Sequence, residues 1–486
     1  MGIFGLGLIA VVGLVLVLTG LPAYCVLIFA VVIGACGAVL IGGVSVAVLG
    51  SLSARLVNLL ESDLLQALPL FVLMGVLLNR MSVAPAVFRT LLWLLPKRPG
   101  APLVAGLGLG ALLGPMSGSV GASILALARA VEPSLCAAGV PAPLRQATIA
   151  VAGTLGVVVP PSLVLILLGD AMLSAHTLAI NATARADRVI NTQDVLRAAI
   201  VPAALFLLLS FAVGWISADR SAAGTSPSTG EGPPTWGEVA LSILAVVFLA
   251  LLLGGVAGGY IFAVEGAATG AVMLLAAGVL TRRIEHRQLG SMLSETMATA
   301  GTLFAPLLAA TTFTLALRLL GTDKLIEGWI NGFAGGDVAV CAAVLAAIFI
   351  AAFVLDAFEI IFVAVPILIP PLLIRIPDAV WVAALVLLTL QASFLLPPVG
   401  YALMMTRGLL GSSAPIGTFA RSLAPFLAVQ ALVMVLTLSF PRIVHLLEPP
   451  DSQARGIVGP PLSTQDVEKK LLEMLPPPPL LPGVEK

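Results

Sequence analysis

Long apolar runs follow one another along nearly the whole chain, from Ile3 to Phe440. Runs of about 18 or more residues are long enough to cross the hydrocarbon core of a lipid bilayer as helices. A segment in that core must satisfy its own backbone N–H and C=O groups, which an α-helix does. Only 10% of the residues are charged, against about 25% in soluble domains. We therefore predict an all-α polytopic membrane protein that contacts the lipid bilayer.

Several classes of function find no support in the residues. The 24 basic and 24 acidic residues cancel, so there is no polybasic signature for binding nucleic acid. The three histidines lie far apart and the four cysteines form no C-x-x-C pair, which argues against a metal centre or a redox site. No P-loop, H-E-x-x-H motif or Ser/His/Asp set is present. We predict a protein that is not an enzyme and that has no cofactor.

The apolar runs predict about ten spans and two further stretches that differ from ordinary spans. Residues 101–131 are interrupted at 114–119, and residues 338–374 are interrupted at 355–359. Backbone groups freed by such a break are tolerated at membrane depth only inside protein or facing a cavity. We therefore predict two re-entrant hairpins. The predicted spans are 3–19, 24–49, 66–80, 144–173, 198–216, 238–254, 256–280, 299–320, 380–410 and 422–440.

Two of these spans are themselves broken by a proline pair, at Pro160-Pro161 and at Pro397-Pro398. A proline lacks an amide donor and clashes with the preceding turn, so neither span is expected to be one continuous helix. A shift of 237 residues maps the first proline pair onto the second, and maps Ser119 onto Asp356. Interrupted segments at corresponding positions of two halves are the sequence signal of a transporter binding site.

Basic residues in short loops predict the orientation, because such residues stay in the cytoplasm. Three arginines between 282 and 287 form the clearest cluster. Counting spans from this cluster places the base of the first hairpin, with basic residues at 97–98 and 145, in the cytoplasm and the base of the second hairpin outside. We therefore predict an inverted repeat, with both chain ends outside. The run over 3–19 has no preceding Lys or Arg, so we interpret it as a retained span.

The predicted domain organisation follows from these elements. From the N-terminus, the units are residues 1–50 (N-terminal scaffold spans), 51–100 (an amphipathic helix over 52–65, a span and an arm helix over 84–95), 101–216 (first half, with the hairpin 101–131 and a broken helix 144–173), 217–237 (flexible connector), 238–337 (scaffold spans of the second half), 338–445 (second half, with the hairpin 338–374 and a broken helix 380–410) and 446–486 (a Pro-rich tail).

Small hydroxyl residues mark the predicted tip of the first hairpin, at Ser117-Gly118-Ser119 with Ser123 close behind. Carbonyl and hydroxyl oxygens at such a tip can coordinate Na⁺, and the amide groups that start the next helix can bind an anion. The alternative is close helix packing through small residues, which is common in membranes. The matching register of the second half favours a site for an ion and a substrate.

Two acidic residues, Asp356 and Glu359, lie in the second hairpin at a spacing that places both on one helical face. An acidic side chain inside the bilayer costs roughly 2.5 kcal/mol or more unless it is paired or hydrated, so ion coordination or a place in a cavity would explain it. The alternative for Asp356 is a cap on the second hairpin helix. Just upstream of the proline pairs, Thr154, Gln391 and Ser393 are expected to face the hairpin tips.

These motifs together resemble one transporter family. The stretches are Pro69-Leu70-Phe71-Val72-Leu73-Met74-Gly75, Ser117-Gly118-Ser119, Gly153-Thr154-Leu155-Gly156, Pro160-Pro161-Ser162, Leu355-Asp356 and Pro397-Pro398-Val399-Gly400. In this order they are similar to the large (M) membrane subunit of TRAP transporters, the tripartite ATP-independent periplasmic family, over about residues 1–445. The sequence departs from the family pattern at Leu396, where Thr is usual, and at Ala402, where Asn is frequent. The second ion site therefore has fewer oxygen ligands than that pattern supplies.

The resemblance implies Na⁺-driven uptake of an organic acid across the bacterial inner membrane. It also implies an elevator motion, in which hairpins and broken helices move against a fixed frame. The implied partners are a periplasmic substrate-binding protein and a small four-helix membrane subunit. A self-sufficient Na⁺/carboxylate symporter of the same inverted-hairpin architecture is the alternative, and a non-transporting membrane scaffold is a weaker one.

Two sets of site residues follow from the motifs and the resemblance together. The candidate Na⁺ ligands are Ser117, Gly118, Ser119, Gly153, Thr154, Gly156, Asp356, Gln391, Ser393 and Pro397. The candidate substrate-cavity residues are Ser119, Ser123, Pro161, Ser162, Asp356, Glu359 and Pro398.

Overall fold

A computed structural model gives the fold, and it describes residues 2–40, 57, 59–61, 63–81, 83–117, 119–183, 188–221, 233–396, 400–411 and 415–448. Within these residues the regular structure is helical throughout. Nine helical segments of the described chain are long and apolar enough to cross a membrane, or ten if a bent pair over 65–94 is counted as one span. The predicted all-α polytopic fold is confirmed.

The helices form two groups with the same order, in which a hairpin is followed by a broken helix. The N-terminal group is α1 (Gly2–Thr19), α2 (Ala23–Leu40), α3 (Asp63–Arg80), α4 (Val83–Leu94), the hairpin α5 (Ala101–Leu113) and α6 (Val120–Ala137), the broken helix α7 (Ala142–Val158) and α8 (Leu163–Thr183), and α9 (Thr192–Ser221). The C-terminal group is α10 (Trp236–Gly258), α11 (Ala263–Leu280), α12 (His286–Leu319), α13 (Thr322–Gly332), the hairpin α14 (Asp337–Ala351) and α15 (Ala357–Arg375), the broken helix α16 (Ala379–Leu395) and α17 (Tyr401–Leu410), and α18 (Ile416–Ser439).

The helix starts of the second half repeat those of the first half at a nearly constant distance. Helices α6 and α15 begin 237 residues apart, as do α7 and α16. The first amide groups of a helix have no partner inside the helix, so a side chain before it often accepts one of their hydrogen bonds. Ser119 Oγ accepts from Ala122 N (3.2 Å) before α6, and Asp356 Oδ1 accepts from Ala357 N (2.8 Å) before α15. The same break therefore recurs with two different capping side chains.

Helix α13 is a second arm that the sequence analysis did not predict, because residues 238–337 were assigned to scaffold spans. It has 11 residues and packs against α15 and α1, much as α4 packs against the first hairpin. It is amphipathic: Thr322, Ile326 and Ile330 form its buried face, and its charged residues distinguish it from an apolar span. Shifting the arm predicted at 84–95 by the 237-residue repeat gives the segment that α13 occupies. The repeat therefore contained the signal for this helix.

Several predicted boundaries differ from the structure. The first hairpin ends at Ala137 rather than 131, and the first broken helix ends at Thr183 rather than 173 because α8 continues through its polar residues. The long helix α12 begins at 286 rather than 299, and the predicted connector 217–237 is helical at both its ends. The amphipathic helix predicted at 52–65, the end of the span 24–49 and the tail beyond 448 lie largely or wholly outside the described residues.

The broken helices of the two halves meet at the centre of the molecule. Helices α7 and α16 pack against each other, and all 17 residues of α16 are buried. Around them the halves cross over, because α8 packs along α15 while α17 packs against α6. The second helix of each hairpin therefore contacts the broken helix of the other half, and this arrangement brings tips and breaks together.

Three prolines lie within α15, and α12 supplies donors for two of the backbone carbonyls that they free. Pro366 and Pro370 each lack the amide that would bond the carbonyl four residues earlier. The Thr314 hydroxyl donates to Phe362 O at 2.6 Å, and the Arg318 guanidinium donates to Pro366 O at 3.0 Å. Two carbonyls of this proline-rich hairpin helix are therefore bonded by its neighbour rather than by its own backbone.

Candidate functional site

The tip of the first hairpin is held in shape by its own serine side chains. A short 3₁₀ turn covers 114–116, and the Ser117 hydroxyl donates to Gly114 O at 2.8 Å. The Ser117 and Ser123 hydroxyls are also hydrogen-bonded to each other. Ser119 caps α6, and Gly118 lies outside the described residues. The predicted tip residues therefore cluster around a turn whose carbonyl and hydroxyl oxygens lie close together.

The backbone of the first hairpin tip lies directly against the backbone of the first broken helix. A Cβ atom added to Gly156 would lie 2.6 Å from Gly114 O, and one added to Gly114 would lie 2.7 Å from Gly156 N. A Cβ on Gly153 would collide with the side chain of Ile124 in α6. Real Cβ contacts are not this short, so only glycine allows this approach. The predicted residues Gly153 and Gly156 thus serve to bring hairpin and break into contact.

A small cavity lies where the tip meets the break. It has ≈ 230 Å³ of empty space, part of it open, and its polar side chains are the hydroxyls of Ser119 and Ser123. Its lining is Gly114, Pro115, Ser119, Val120, Ser123, Gly156, Val157, Leu163 and Val164. The structure therefore unites predicted residues from the hairpin and from the break around one space.

The hydroxyls at the first break are bonded to backbone groups of the two helix halves. Thr154 is fully buried and donates to Val151 O at 2.8 Å. Ser162, which follows the buried Pro161, donates to Val157 O at 2.9 Å and accepts from Leu165 N at 3.1 Å. A hydroxyl oxygen keeps acceptor capacity when its proton is donated. These side chains can therefore still offer an oxygen to a cation.

The two acids of the second hairpin have different places. The Asp356 side chain is exposed at the tip, where it caps α15, so the predicted tip position and the capping alternative are both observed. Glu359 is only 3% exposed, and its Oε2 accepts from Asp356 N at 3.0 Å. This pair forms a capping box. Glu359 was expected to line the substrate cavity, but the structure turns it back onto the helix start that needs an acceptor.

Gln391 is the predicted site residue whose buried side-chain amide lacks hydrogen-bond partners among the described residues. Its side chain has no exposed surface, and neither Oε1 nor Nε2 has a hydrogen-bond partner in the described part of the chain. A buried polar group without a partner costs about 1–3 kcal/mol. Ser393 nearby donates to Leu390 O at 2.7 Å, while Pro397 and Pro398 lie outside the described residues. The orphaned amide is the strongest sign of an unused binding capacity in the second half.

Sequence reasoning missed Tyr401, which begins α17 directly after the second break. Its hydroxyl lies 2.6 Å from the place of a Cβ on Gly121 in α6, and its ring stacks edge-to-face on Phe394 at 6.3 Å between centroids. Tyr401 therefore joins the second break to the first hairpin. The signal for it was its place immediately after Pro397-Pro398-Val399-Gly400, in a chain with only three tyrosines.

The fold is similar to that of a solved membrane transporter. The crystal structure of the Alcanivorax borkumensis YdaH transporter matches with a TM-score of 0.58 at 14% sequence identity. The match covers 82% of this chain and 88% of that chain. At this identity the likeness concerns the fold alone.

Curated relatives are TRAP transporter permeases. A large permease protein of Haemophilus influenzae is 20% identical over 380 residues, 78% of this chain and 90% of the relative. The isethionate permease protein of Oleidesulfovibrio alaskensis is 24% identical, and the sialic acid permease protein of Haemophilus influenzae is 22% identical, each over 78% of this chain. The chain spans only 57% and 59% of the length of these last two relatives.

The sequence model of one family covers nearly all of the described helices. The family described as "Tripartite ATP-independent periplasmic transporter, DctM component" matches residues 10–443. This range contains both hairpins, both broken helices, and the cavity between the first hairpin tip and the first break. Large permeases of this family are transporters rather than enzymes, and they work with a periplasmic binding protein and a small membrane subunit. The chain therefore belongs to the DctM component family of tripartite ATP-independent periplasmic transporters, as a large membrane permease.

Proposed function

We propose that this permease couples the entry of Na⁺ to the uptake of an organic acid across the bacterial inner membrane. A periplasmic binding protein delivers the acid to the outer face, and a small four-helix membrane subunit supports the permease from the side. Two relatives are named for isethionate and sialic acid, and both solutes are organic acids. The absence of a P-loop motif from the sequence supports a transport energy that comes from an ion gradient.

The observation that carries this proposal is the contact between the first hairpin tip and the first helix break. Na⁺ prefers oxygen ligands, and irregular backbone at membrane depth offers carbonyl oxygens for it. The tip and break present Gly114 O beside the backbone of Gly156, with the hydroxyls of Ser119 and Ser123 lining the same cavity. An ion held there would join the hairpin to the broken helix.

The second half offers a complementary set of groups. Asp356 supplies an exposed carboxylate at the second tip, and Gln391 supplies an orphaned amide inside α16. A carboxylate at membrane depth is costly unless it is paired or hydrated, so a bound cation would relieve it. We place the second Na⁺ and the acid near these groups.

The transport movement is an elevator motion of the hairpins and broken helices against the other helices. The moving part comprises the hairpins and broken helices, α5 to α8 and α14 to α17, together with α9 and α18, which pack mainly against them. The frame comprises α1 to α4 and α10 to α13. Na⁺ and the acid together hold the tips on the breaks, because each half contacts the other hairpin. Only the closed, loaded assembly then crosses between the two faces.

The test uses the permease in proteoliposomes, with its small subunit and binding protein, and an inward Na⁺ gradient. The probe is a defined mixture of carboxylic and sulfonic acids, including isethionate, sialic acid and succinate, quantified inside the vesicles by mass spectrometry. We expect at least one acid to accumulate only when the Na⁺ gradient and the binding protein are both present.

Two outcomes would contradict the proposal. Accumulation that persists when K⁺ replaces Na⁺ would show that transport is not coupled to Na⁺. If no acid in the mixture accumulates, organic acids are not the substrates. Strong Na⁺-driven uptake without the binding protein would instead identify a self-sufficient symporter.

A further inference from the structure

Tyr401 lies where three helices of the proposed moving part meet, namely α6, α16 and α17. It is the first residue of α17, directly after the second helix break. Its hydroxyl lies over Gly121, two residues beyond the Ser119 cap of the first hairpin. Phe394, before the break, packs against its ring. One phenol therefore touches both sides of its own break and the start of α6.

The Tyr401 hydroxyl is available for a ligand. The residue is 51% exposed, and none of the hydrogen bonds between described residues engages its hydroxyl. The hydroxyl thus lies against the start of the first hairpin's second helix and beside the second break, where a substrate held between the hairpins and the breaks can reach it.

The contact with Gly121 is specific to the hydroxyl. A Cβ at position 121 would lie 2.6 Å from Tyr401 Oη, but 3.5 Å from Cζ and 3.6 Å from Cε1. The ring atoms are therefore at ordinary van der Waals distance, and the hydroxyl alone requires a glycine. The first hairpin leaves room for one oxygen atom of the second half.

We propose that the Tyr401 hydroxyl donates a hydrogen bond to the acidic group of the transported solute. Gly121, which has no side chain, leaves the room that this hydroxyl occupies. The inference rests on the proposed transport of an organic acid. A phenol is a neutral donor, so it binds an anion without adding a charge at membrane depth. Tyr401 is then a substrate-binding residue supplied by the helix after the second break.

This arrangement also links the acid to the ion. The exposed carboxylate of Asp356 at the second hairpin tip repels an acidic solute that binds between the hairpins, because like charges disfavour each other. A Na⁺ ion held at Asp356 removes this repulsion. Binding of Na⁺ therefore strengthens the binding of the acid at Tyr401, and the same interaction works in the reverse direction.

The first experiment measures binding to the purified permease, without the binding protein. The probe is the acid mixture described above, titrated in saturating Na⁺, and the readout is protection against thermal unfolding. Removing a hydrogen bond to a charged group weakens binding by about tenfold or more. We expect Tyr401→Phe to need about ten times more of the mixture for half-maximal protection. The Na⁺ concentration that stabilises the permease without acid should stay the same.

The second experiment tests the place of the hydroxyl. Gly121→Ala puts a methyl group against Tyr401 Oη, so it should weaken acid binding and lower the unfolding temperature. Adding Tyr401→Phe removes the clashing atom, so the double variant should regain the unfolding temperature while acid binding stays weak. Gly408→Ala, in α17 with Tyr401, is the control, because nothing lies within 4 Å of its added Cβ.

The outcomes separate this inference from the transport proposal. If wild-type permease takes up acid with Na⁺ but Tyr401→Phe binds the mixture as tightly as wild-type does, the inference is wrong and the transport proposal stands. The inference is also wrong if Gly121→Ala behaves like Gly408→Ala. Failure of the wild-type protein to take up any acid in proteoliposomes would count against the transport proposal itself.

Discussion

The side-chain amide of Gln391 is enclosed by protein on all sides and yet makes no hydrogen bond among the described residues. Such a group weakens the fold unless something binds it, because burial removes the water that would otherwise pair with it. At the equivalent place in the first half, Thr154 bonds to its own helix. The two halves therefore share a register but differ in how much binding capacity they leave open.

We expect Gln391→Met to raise the stability of the ion-free permease by about 1–3 kcal/mol, because an apolar side chain of similar shape has no polar atoms to satisfy. The same change should reduce the stabilisation produced by Na⁺. Thermal unfolding with and without Na⁺ measures both effects. Thr389→Val is the control, since that hydroxyl bonds to Leu385 O in the same helix. A loss of stability with unchanged Na⁺ protection would show a purely structural role for Gln391.

Gly156→Ala tests the backbone contact between tip and break. The added methyl group would meet Gly114 O at 2.6 Å, and a carbonyl cannot turn away as a flexible side chain can. We expect Na⁺-driven uptake to fall at least about tenfold, since misplaced ligands weaken a site strongly, while the protein still inserts. Gly301→Ala has open space around its added Cβ and should transport normally. Equal uptake by both variants would remove the tip contact from the mechanism.

Side-chain direction is the part of the site that the sequence could not predict. Ser119, Ser123 and Gly156 were selected from their places near glycines and prolines, and they do surround one space. Ser117, selected in the same way, is hydrogen-bonded to Ser123. Glu359 was selected by the same reasoning, but the orphan amide of Asp356 holds it in the helix cap. The choice between a cavity and a nearby backbone amide depends on packing, which sequence spacing does not contain.

At the scale of elements, the contact between α12 and α15 joins the frame to the moving part of the proposed elevator. Thr314 and Arg318 lie one turn apart on α12, and the carbonyls that they bond, Phe362 O and Pro366 O, lie one turn apart on α15. Pro366 and Pro370 are therefore each matched by a donor on the neighbouring helix. The two hydrogen bonds fix the register between α12 and α15 in the state that the structure shows.

We expect Thr314→Val to destabilise the protein by about 0.6–1.7 kcal/mol, the range for hydrogen bonds between membrane helices. The variant keeps the shape of the side chain and leaves Phe362 O without its donor. Thr312→Val is the matched control, because that hydroxyl bonds only to carbonyls of its own helix, Leu308 O and Ala309 O. Thermal unfolding of the purified variants gives the comparison, and equal losses would contradict a special role for the bond between helices.

The order of the elements was predictable because glycine and proline breaks can be read directly from the sequence. Both hairpins and both broken helices occur where the interruptions placed them. The second arm, α13, was not predicted because Asp323, Lys324 and Glu327 make its segment too polar to be recognised as one of the long apolar runs. Helix ends within polar sequence, such as the extension of α9 to Ser221, were also missed, since polar residues do not by themselves stop a helix.

At the scale of the whole molecule, His445 ties the end of the chain's last described helix to the start of the central helix α16. Its Nε2 lies 2.8 Å from Asp378 Oδ2, and its Nδ1 lies 2.8 Å from Glu448 Oε1. Asp378 also caps α16 through Trp381 N at 2.9 Å. The hydrogen bond to Asp378, with a further contribution from Glu448, raises the pKa of His445 to about 9.

This shift predicts a pH dependence of stability. A histidine pKa that is raised from 6.5 to about 9 on folding stabilises the folded state fully below pH 6.5, and this contribution is lost as the pH rises through about 9. We expect the unfolding temperature to fall between pH 6.5 and pH 9.5 by more in wild-type than in His445→Gln. Glu448→Gln should give an intermediate slope. Identical slopes in all three proteins would contradict the assignment.

The complete burial of α16 determines which helices respond to the thickness of the bilayer. With 17 residues the helix is about 25 Å long, shorter than the hydrocarbon thickness of about 30 Å. No lipid touches it, so this shortfall carries no mismatch energy. Longer helices such as α10 and α12, with 23 and 34 residues, carry the lipid-facing surface instead. A thicker bilayer would therefore change the tilt of the frame while the centre keeps its dimensions, and acyl-chain length would alter the rate of transport without altering the binding site.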